Sequence, residues 1–212
     1  MGSWRDDPLP PAAGAVTGVP ARILEAMDGD EHRDWLAGAL GDDARLWAEE
    51  FGVAKDVSGL FAERNVFRYR PVPVVIRYDD ATSGHGVAEL ARVTAAGLLA
   101  GAPLTVSTAI ELPNPLVRVL RAANVVVAVE DGEAWTVRVA RLALAGPARV
   151  RLIGTSLSAT TQAVGGSPDL AVYGSDVVAS GRVELLTFLH EQAVSITAHR
   201  YGTPNHLSDA VI

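Results

Sequence analysis

The sequence predicts an α/β protein: a Rossmann-like parallel sheet with helices on both faces, an N-terminal helical segment and a C-terminal strand standing apart. Three observations predict it. Between about residues 65 and 180, short apolar runs alternate with amphipathic helical patterns, the order that covers a parallel sheet on both faces. Of the 212 residues, 49% are apolar, enough for such a doubly buried sheet. After the last helix pattern, Glu191–Arg200 (EQAVSITAHR) alternates with period two, so Gln192, Val194, Ile196, Ala198 and Arg200 share one face and Glu191, Ala193, Ser195, Thr197 and His199 the other.

The elements follow in order. Residues 1–19 are proline-rich and lack periodicity, which reads as a linker or arm. Met1-Gly2-Ser3 ahead of that stretch reads as a cloning remnant or a chain begun mid-protein. Helices are expected over 21–27 and 31–51. In the second, Trp35, Leu36, Leu40, Leu46, Trp47 and Phe51 form one stripe only if the helix breaks near Gly41-Asp42-Asp43. Asp30 and Asp42 are the expected N-caps. Residues 63–71 (ERNVFRYRP) read as a strand, with Phe67 and Tyr69 on one face and Arg68 and Arg70 on the other. Strands are then expected over 72–78, 104–107, 125–129, 150–153 and 170–173. Helices are expected over 87–99, 114–123, 133–144 and 157–164, with Trp135 and Val139 turned inward. Each strand–helix–strand unit should cross over right-handed. The division expected is 1–62 for the arm and helical segment, 63–180 for the Rossmann-like domain and 181–212 for the C-terminal strand region.

Charge and composition narrow the function. The net charge of −7 argues against non-specific nucleic-acid binding, which needs a basic footprint. The chain has no cysteine, which removes disulfides, thiolate metal sites and a thiol nucleophile. No apolar run approaches the ~20 residues of a membrane helix, and the N-terminus has no signal-peptide core; a cytoplasmic protein is expected. Lys55 is the only lysine among 18 basic residues, a usage associated with GC-rich bacterial genomes.

Motifs of chemistry are sparse. A dinucleotide site needs glycines where a strand enters a helix, so that backbone N–H groups can approach the pyrophosphate. The first turn carries Gly84 and Gly86 around His85, and the turn after residue 153 carries Gly154 alone. There is no phosphate-loop motif and no GxSxG. His32, His85, His190, His199 and His206 show no metal-ligand spacing. Asp79-Asp80 and Glu130-Asp131 end strands, where open sheets place their sites, yet Asp131 or Gly132 also fits a cap on the next helix. A nucleotide-binding module using Gly84, Gly86 and Asp131 is one rival reading. A hydrolase built on Ser107 or Ser156 is another, with no His–acid pair visible for either serine.

Three stretches carry a resemblance. ERNVFRYRP, ending at Pro71, and LLTFLHEQAVSITAHRYGTP, ending at Pro204, are similar to the C-terminal region of bacterial proline utilization A and related L-glutamate γ-semialdehyde (1-pyrroline-5-carboxylate) dehydrogenases. VGGSPDLAV, 164–172, resembles the aldehyde dehydrogenase pattern ELGGKSPNIV without its lysine. The likeness runs from about Trp4 to Pro204. Long bifunctional members carry an extra, non-catalytic aldehyde-dehydrogenase-like domain ending in a C-terminal motif, and the resemblance implies that role. The departures point the same way. The general-base glutamate would fall at Ala163, the second glycine of the dinucleotide turn at Ala159, the lysine of VVVKPSE-like segments has no counterpart in LTVSTAIEL, and the nucleophilic cysteine has none either. Aldehyde oxidation in this family needs a thiohemiacetal, so the chain alone should lack dehydrogenase activity. No catalytic, cofactor or metal residue is therefore assigned, and FAD and NAD are implied only for the parent enzyme. The resemblance further implies that the C-terminal motif within 181–212 carries a flap strand, with Val194, Ile196, Ala198, His199, Arg200 and Tyr201 at its interface. The flap would pair by β-augmentation with the catalytic aldehyde dehydrogenase module of the same or a companion polypeptide and help wall the channel for the intermediate.

Overall fold

The computed structural model describes residues 14–79, 84–200 and 203–204. Two helices open it, α1 (Gly18–Ala26) and α2 (Arg33–Leu46), followed by a π-helical turn at Trp47–Phe51. A two-residue strand β1 (Lys55–Asp56) and a long strand β2 (Glu63–Pro71) come next. The alternating region is β3 (Val74–Tyr78), α3 (Val87–Leu99), β4 (Leu104–Thr108), α4 (Asn114–Ala122), β5 (Val126–Val129), α5 (Gly132–Ala145), β6 (Ala148–Ile153), α6 (Leu157–Ala163) and β7 (Leu170–Tyr173). The short helix α7 (Gly181–Glu184), a 3-10 turn at Leu185–Phe188 and β8 (Leu189–Thr197) follow, then the two-residue strands β9 (His199–Arg200) and β10 (Thr203–Pro204).

Five strands form the expected parallel sheet in the order β5-β4-β3-β6-β7. The first of them, β3, lies in the middle: the chain steps outward through β4 and β5, then crosses to β6 and β7. That reversal makes a topological switch point between β3 and β6, where Tyr78 lies beside Ile153. On one face, Val74, Ile76 and Val106 of the sheet meet Leu36, Leu40, Leu90, Val93, Leu116 and Leu120 from α1–α4's layer. On the other, Val150 and Leu152 meet Trp135, Val139 and Val164 from α5 and α6. The helical segment packs on α3, so Trp35 and Trp47 lie partly buried against the main core.

The second helix does not break at Gly41-Asp42-Asp43. It runs straight through, because both carboxylates are buried and each has a hydrogen-bond partner outside the helix. Asp42 accepts from the Gly181 N–H at 2.8 Å and from Arg45 at 2.6 Å. Asp43 makes a two-pronged pair with Arg92 of α3, one arm at 2.9 Å. Burial pushes the Asp43 carboxyl up to about 6, against the pull of Arg92. The irregularity falls instead at Trp47–Phe51. Asp42 is thus no N-cap, and Asp30 accepts from the His32 N–H just before α2.

Residues 63–71 do not join the parallel sheet. Pro71 and Pro73 flank Val72, and proline donates no ladder hydrogen bond, so the chain leaves one sheet at Pro71 and enters another at Val74. β2 pairs antiparallel with β8 over nine positions, from Glu63↔Thr197 to Pro71↔Leu189, and β1 lines its other side. Sheet order β1-β2-β8 leaves β8 at an edge. The ribbon is rooted by buried charge. Arg151 pairs with Glu184 at 2.8 Å and donates to the Ser175 carbonyl at 2.7 Å. Arg149 donates to the carbonyls of Thr187 at 2.9 Å and Leu189 at 2.8 Å. These contacts tie the segment leading into β8 to β6.

Candidate functional site

The ribbon keeps the two faces its sequence implies. Gln192, Val194 and Ile196 are half-buried while Ala193, Ser195 and Thr197 are exposed. Register sets Val194 opposite Val66, Ile196 opposite Arg64 and Gln192 opposite Arg68. The Arg68 Nε donates to the Gln192 side chain at 2.7 Å across the pair. The aromatic residues Phe67 and Tyr69 stand on the opposite face, with Tyr69 edge-on to Phe51 at 4.9 Å, and so dock the ribbon on the body. Ala198 lies just past the strand, buried, its N–H donating to the Ala62 carbonyl at 2.8 Å. His199 is exposed and pairs with Pro204, and Arg200 pairs with Thr203. Tyr201 lies outside the described residues. The strand thus finds its partner, β2, within its own chain; among the described residues its outer edge has no neighbouring strand.

At the opposite edge of this sheet, after β1, is a feature the sequence reading passed over. Asp56 organises a turn: its Oδ1 accepts from the Ser58 N–H and hydroxyl and from the Gly59 N–H, and its Oδ2 from the Asn65 N–H. The Ser58 hydroxyl, then the Gly59 amide, hold the Asp56 carboxyl below its usual range. The turn presents Val57 at 87% and Phe61 at 81% exposure, with Leu60 next to them in sequence also exposed. The spacing Asp-x-Ser-Gly was the available signal.

A second feature lies where open α/β sheets place their sites. A crevice of about 480 Å³ between α5 and α6 is lined by Arg77, Asp79, Trp135, Val139, Gly154, Thr155, Ser156 and Ala159 among others. Arg77 is only 1% exposed. Its Nη1 donates to the Ser107 Oγ at 2.8 Å and the Glu130 carbonyl at 3.0 Å, and its Cζ lies 5.5 Å from the Trp135 ring centre. The Arg77 Nε and Trp135 Nε1 are buried without an acceptor among the described residues. Burial pushes the Arg77 pKa down, opposed by the charges of Asp79, Glu130 and Asp131. Burial also pushes Glu130 up, but hydrogen bonds from Arg138 and Ser107 outweigh it and leave that carboxyl below its usual range.

The dinucleotide candidates are largely spent on the fold itself. Glu89 of α3 accepts from the Gly84 and His85 N–H groups at 3.2 and 3.3 Å, so a carboxylate already sits on the amides a phosphate would use. His85 stacks on Trp35 at 4.2 Å. Asp131 caps α5 through the Ala134 N–H. Gly154 keeps a positive φ of 69°, but Ala159 replaces the glycine that lets backbone approach a pyrophosphate, and Asp79 and Asp131 repel a polyanion. These residues do not fit a dinucleotide. Ser107 is held by Arg77, and Ser156 caps α6 and shares a hydrogen bond with Ser158; neither has a histidine partner among the described residues. Among the described residues no group of three or more His, Cys, Asp or Glu side chains is placed to hold a metal ion, and no helix is long and apolar enough to cross a membrane.

No family model matches the chain, and no curated protein does. Solved structures do. Proline utilization A from Corynebacterium freiburgense is 27% identical with a TM-score of 0.57, over 93% of this chain and 16% of that one. Proline utilization A from Bdellovibrio bacteriovorus, inactivated by N-propargylglycine, is 14% identical with a TM-score of 0.48, over 73% of this chain and 19% of that one. Lactaldehyde dehydrogenase from Escherichia coli is 14% identical with a TM-score of 0.45, over 73% and 34%. The chain therefore spans 16% of the length of the first of these proteins. A five-stranded parallel sheet with helices on both faces, a separate antiparallel ribbon and the first of these likenesses together identify a chain similar, over nearly all its length, to a segment of proline utilization A.

Proposed function

We propose that this chain is a non-catalytic structural and interaction domain that docks on the catalytic aldehyde dehydrogenase module of the same or a companion polypeptide. The outer edge of β8 extends a sheet of that module, and the flap strand covers its substrate cavity. That module oxidises L-glutamate γ-semialdehyde, formed from proline through 1-pyrroline-5-carboxylate. The observation that carries this reading is the ribbon: a nine-position pairing of β2 with β8 that presents an edge unpaired among the described residues, in a chain 27% identical to a proline utilization A. An edge of this kind left uncovered invites pairing with another chain, and strand addition supplies main-chain affinity with side-chain pockets for specificity. The absence of any cysteine, with alanine at 163, supports the non-catalytic part.

Sedimentation of the chain mixed with a catalytic L-glutamate γ-semialdehyde dehydrogenase module from the same organism tests the docking. A complex is expected, weakened by Val194→Asp/Ile196→Asp. NAD reduction by the chain alone with the semialdehyde would overturn the non-catalytic assignment. Failure to associate would overturn the docking.

A further inference from the structure

The Arg77 crevice is a second feature, independent of the ribbon. A buried guanidinium is costly unless something pairs it. The other buried arginines of this fold obey that rule: Arg92 has Asp43 and Arg151 has Glu184. Arg77 makes only neutral hydrogen bonds. Its charge is flanked at longer range by Asp79, Glu130 and Asp131, of which Glu130 is paired with Arg138 at 2.7 Å and Asp131 caps a helix. The Arg77 Nη1 is used, while its Nε and the Trp135 indole N–H lack acceptors among the described residues. Two such donors belong to side chains that line one crevice, at the switch point of the sheet, and both call for oxygen atoms.

We infer that this crevice binds a small monocarboxylate, its oxygens taken by the free side of the Arg77 guanidinium and the Trp135 N–H, its short apolar part lying against Val139 and Ala163. The guanidinium fork suits a planar carboxylate. The apolar lining and the volume of about 480 Å³ suit a few carbon atoms beyond it. Asp79, Glu130 and Asp131 lie close enough to act on Arg77 and so disfavour phosphate and larger polyanions.

The test is calorimetric titration of the full chain with sodium butyrate, beside inorganic phosphate and NAD at matched ionic strength. Saturable butyrate binding is expected. Arg77→Gln should weaken it about 10- to 100-fold, the loss of charge-assisted hydrogen bonds. Ala159→Phe gives an independent check: position 159 is exposed on α6, so the larger ring obstructs the crevice without entering the core, and butyrate affinity should drop similarly. Absence of saturable butyrate binding, unchanged binding in either folded variant, or equal binding of phosphate or NAD would each overturn the assignment.

Discussion

Removing either member of the Asp43–Arg92 pair should damage the protein far more than removing both. The side chains are 1% and 0% exposed and meet through two hydrogen bonds. Arg92 also donates toward the carbonyls of Val178 and Ala179, which hold the approach to α7. Asp43→Ala leaves a buried cation with carbonyls alone, and Arg92→Met leaves a buried carboxylate. Each should cost about 3–5 kcal/mol, which for a chain of this size lowers Tm by roughly 6–20 °C. The pair as a unit is worth much less, because burial already pushes Asp43 up to about 6 despite Arg92. The double variant Asp43→Ala/Arg92→Met should therefore be more stable than the sum of the single losses, with a coupling of about 3 kcal/mol. Urea unfolding followed by far-UV circular dichroism measures all four proteins. The pH dependence supplies a sign. A carboxyl whose folded pKa is raised contributes stability that is fully present below its unfolded value and lost as pH rises through the folded value. In Arg92→Met the Asp43 pKa rises further, so the deficit at pH 7 should shrink toward pH 5. Single variants within about 1 kcal/mol of the parent, or an additive double variant, would refute the reasoning.

Gly97→Ala should destabilise by about 1–3 kcal/mol in urea unfolding, because its Cβ would stand 2.8 Å from the Phe188 ring and 3.0 Å from Leu104. The half-exposed Glu50–Arg182 pair joins the π-helical turn to α7, and the Arg182 hydrogen bonds hold the Glu50 carboxyl below its usual range. Its contribution is present above the ordinary glutamate pKa and is lost as pH falls through the lowered one. Glu50→Gln should accordingly flatten the acid limb of a Tm–pH profile. Phe61→Ser/Val57→Ser should leave Tm unchanged and weaken association with the aldehyde dehydrogenase module, measured by sedimentation, if the exposed turn belongs to that interface.

Much of the α/β core was legible because its signals are local. The helix over 87–99 and the strand over 170–173 are found with the bounds expected, and Trp135 and Val139 are buried as their spacing implied. The failures share a cause: long-range partners. Gly41-Asp42-Asp43 looked like a break because the apolar positions on either side fit one stripe only with a kink there, and the groups that let the two acids enter the core, Arg92 and the Gly181 amide, lie 49 and 139 positions away. Residues 63–71 looked like the first strand of the alternating region because nothing local reveals that their partner is 189–197. Arg77 was read as part of an apolar strand. Its burial beside Trp135 depends on the crossing of α5 over β3, which no window of sequence contains.

The in-chain pairing of β2 with β8 has a consequence for how fast and how selectively the tail could engage anything. A nine-residue strand recruited from a loose tail would surrender about 1–2 kcal/mol of backbone freedom per residue at the moment of contact. Here that ordering happens during folding, with the partner strand as template. Encounter then resembles the meeting of two rigid bodies, with a small heat-capacity change and a rate set by orientation rather than by zippering.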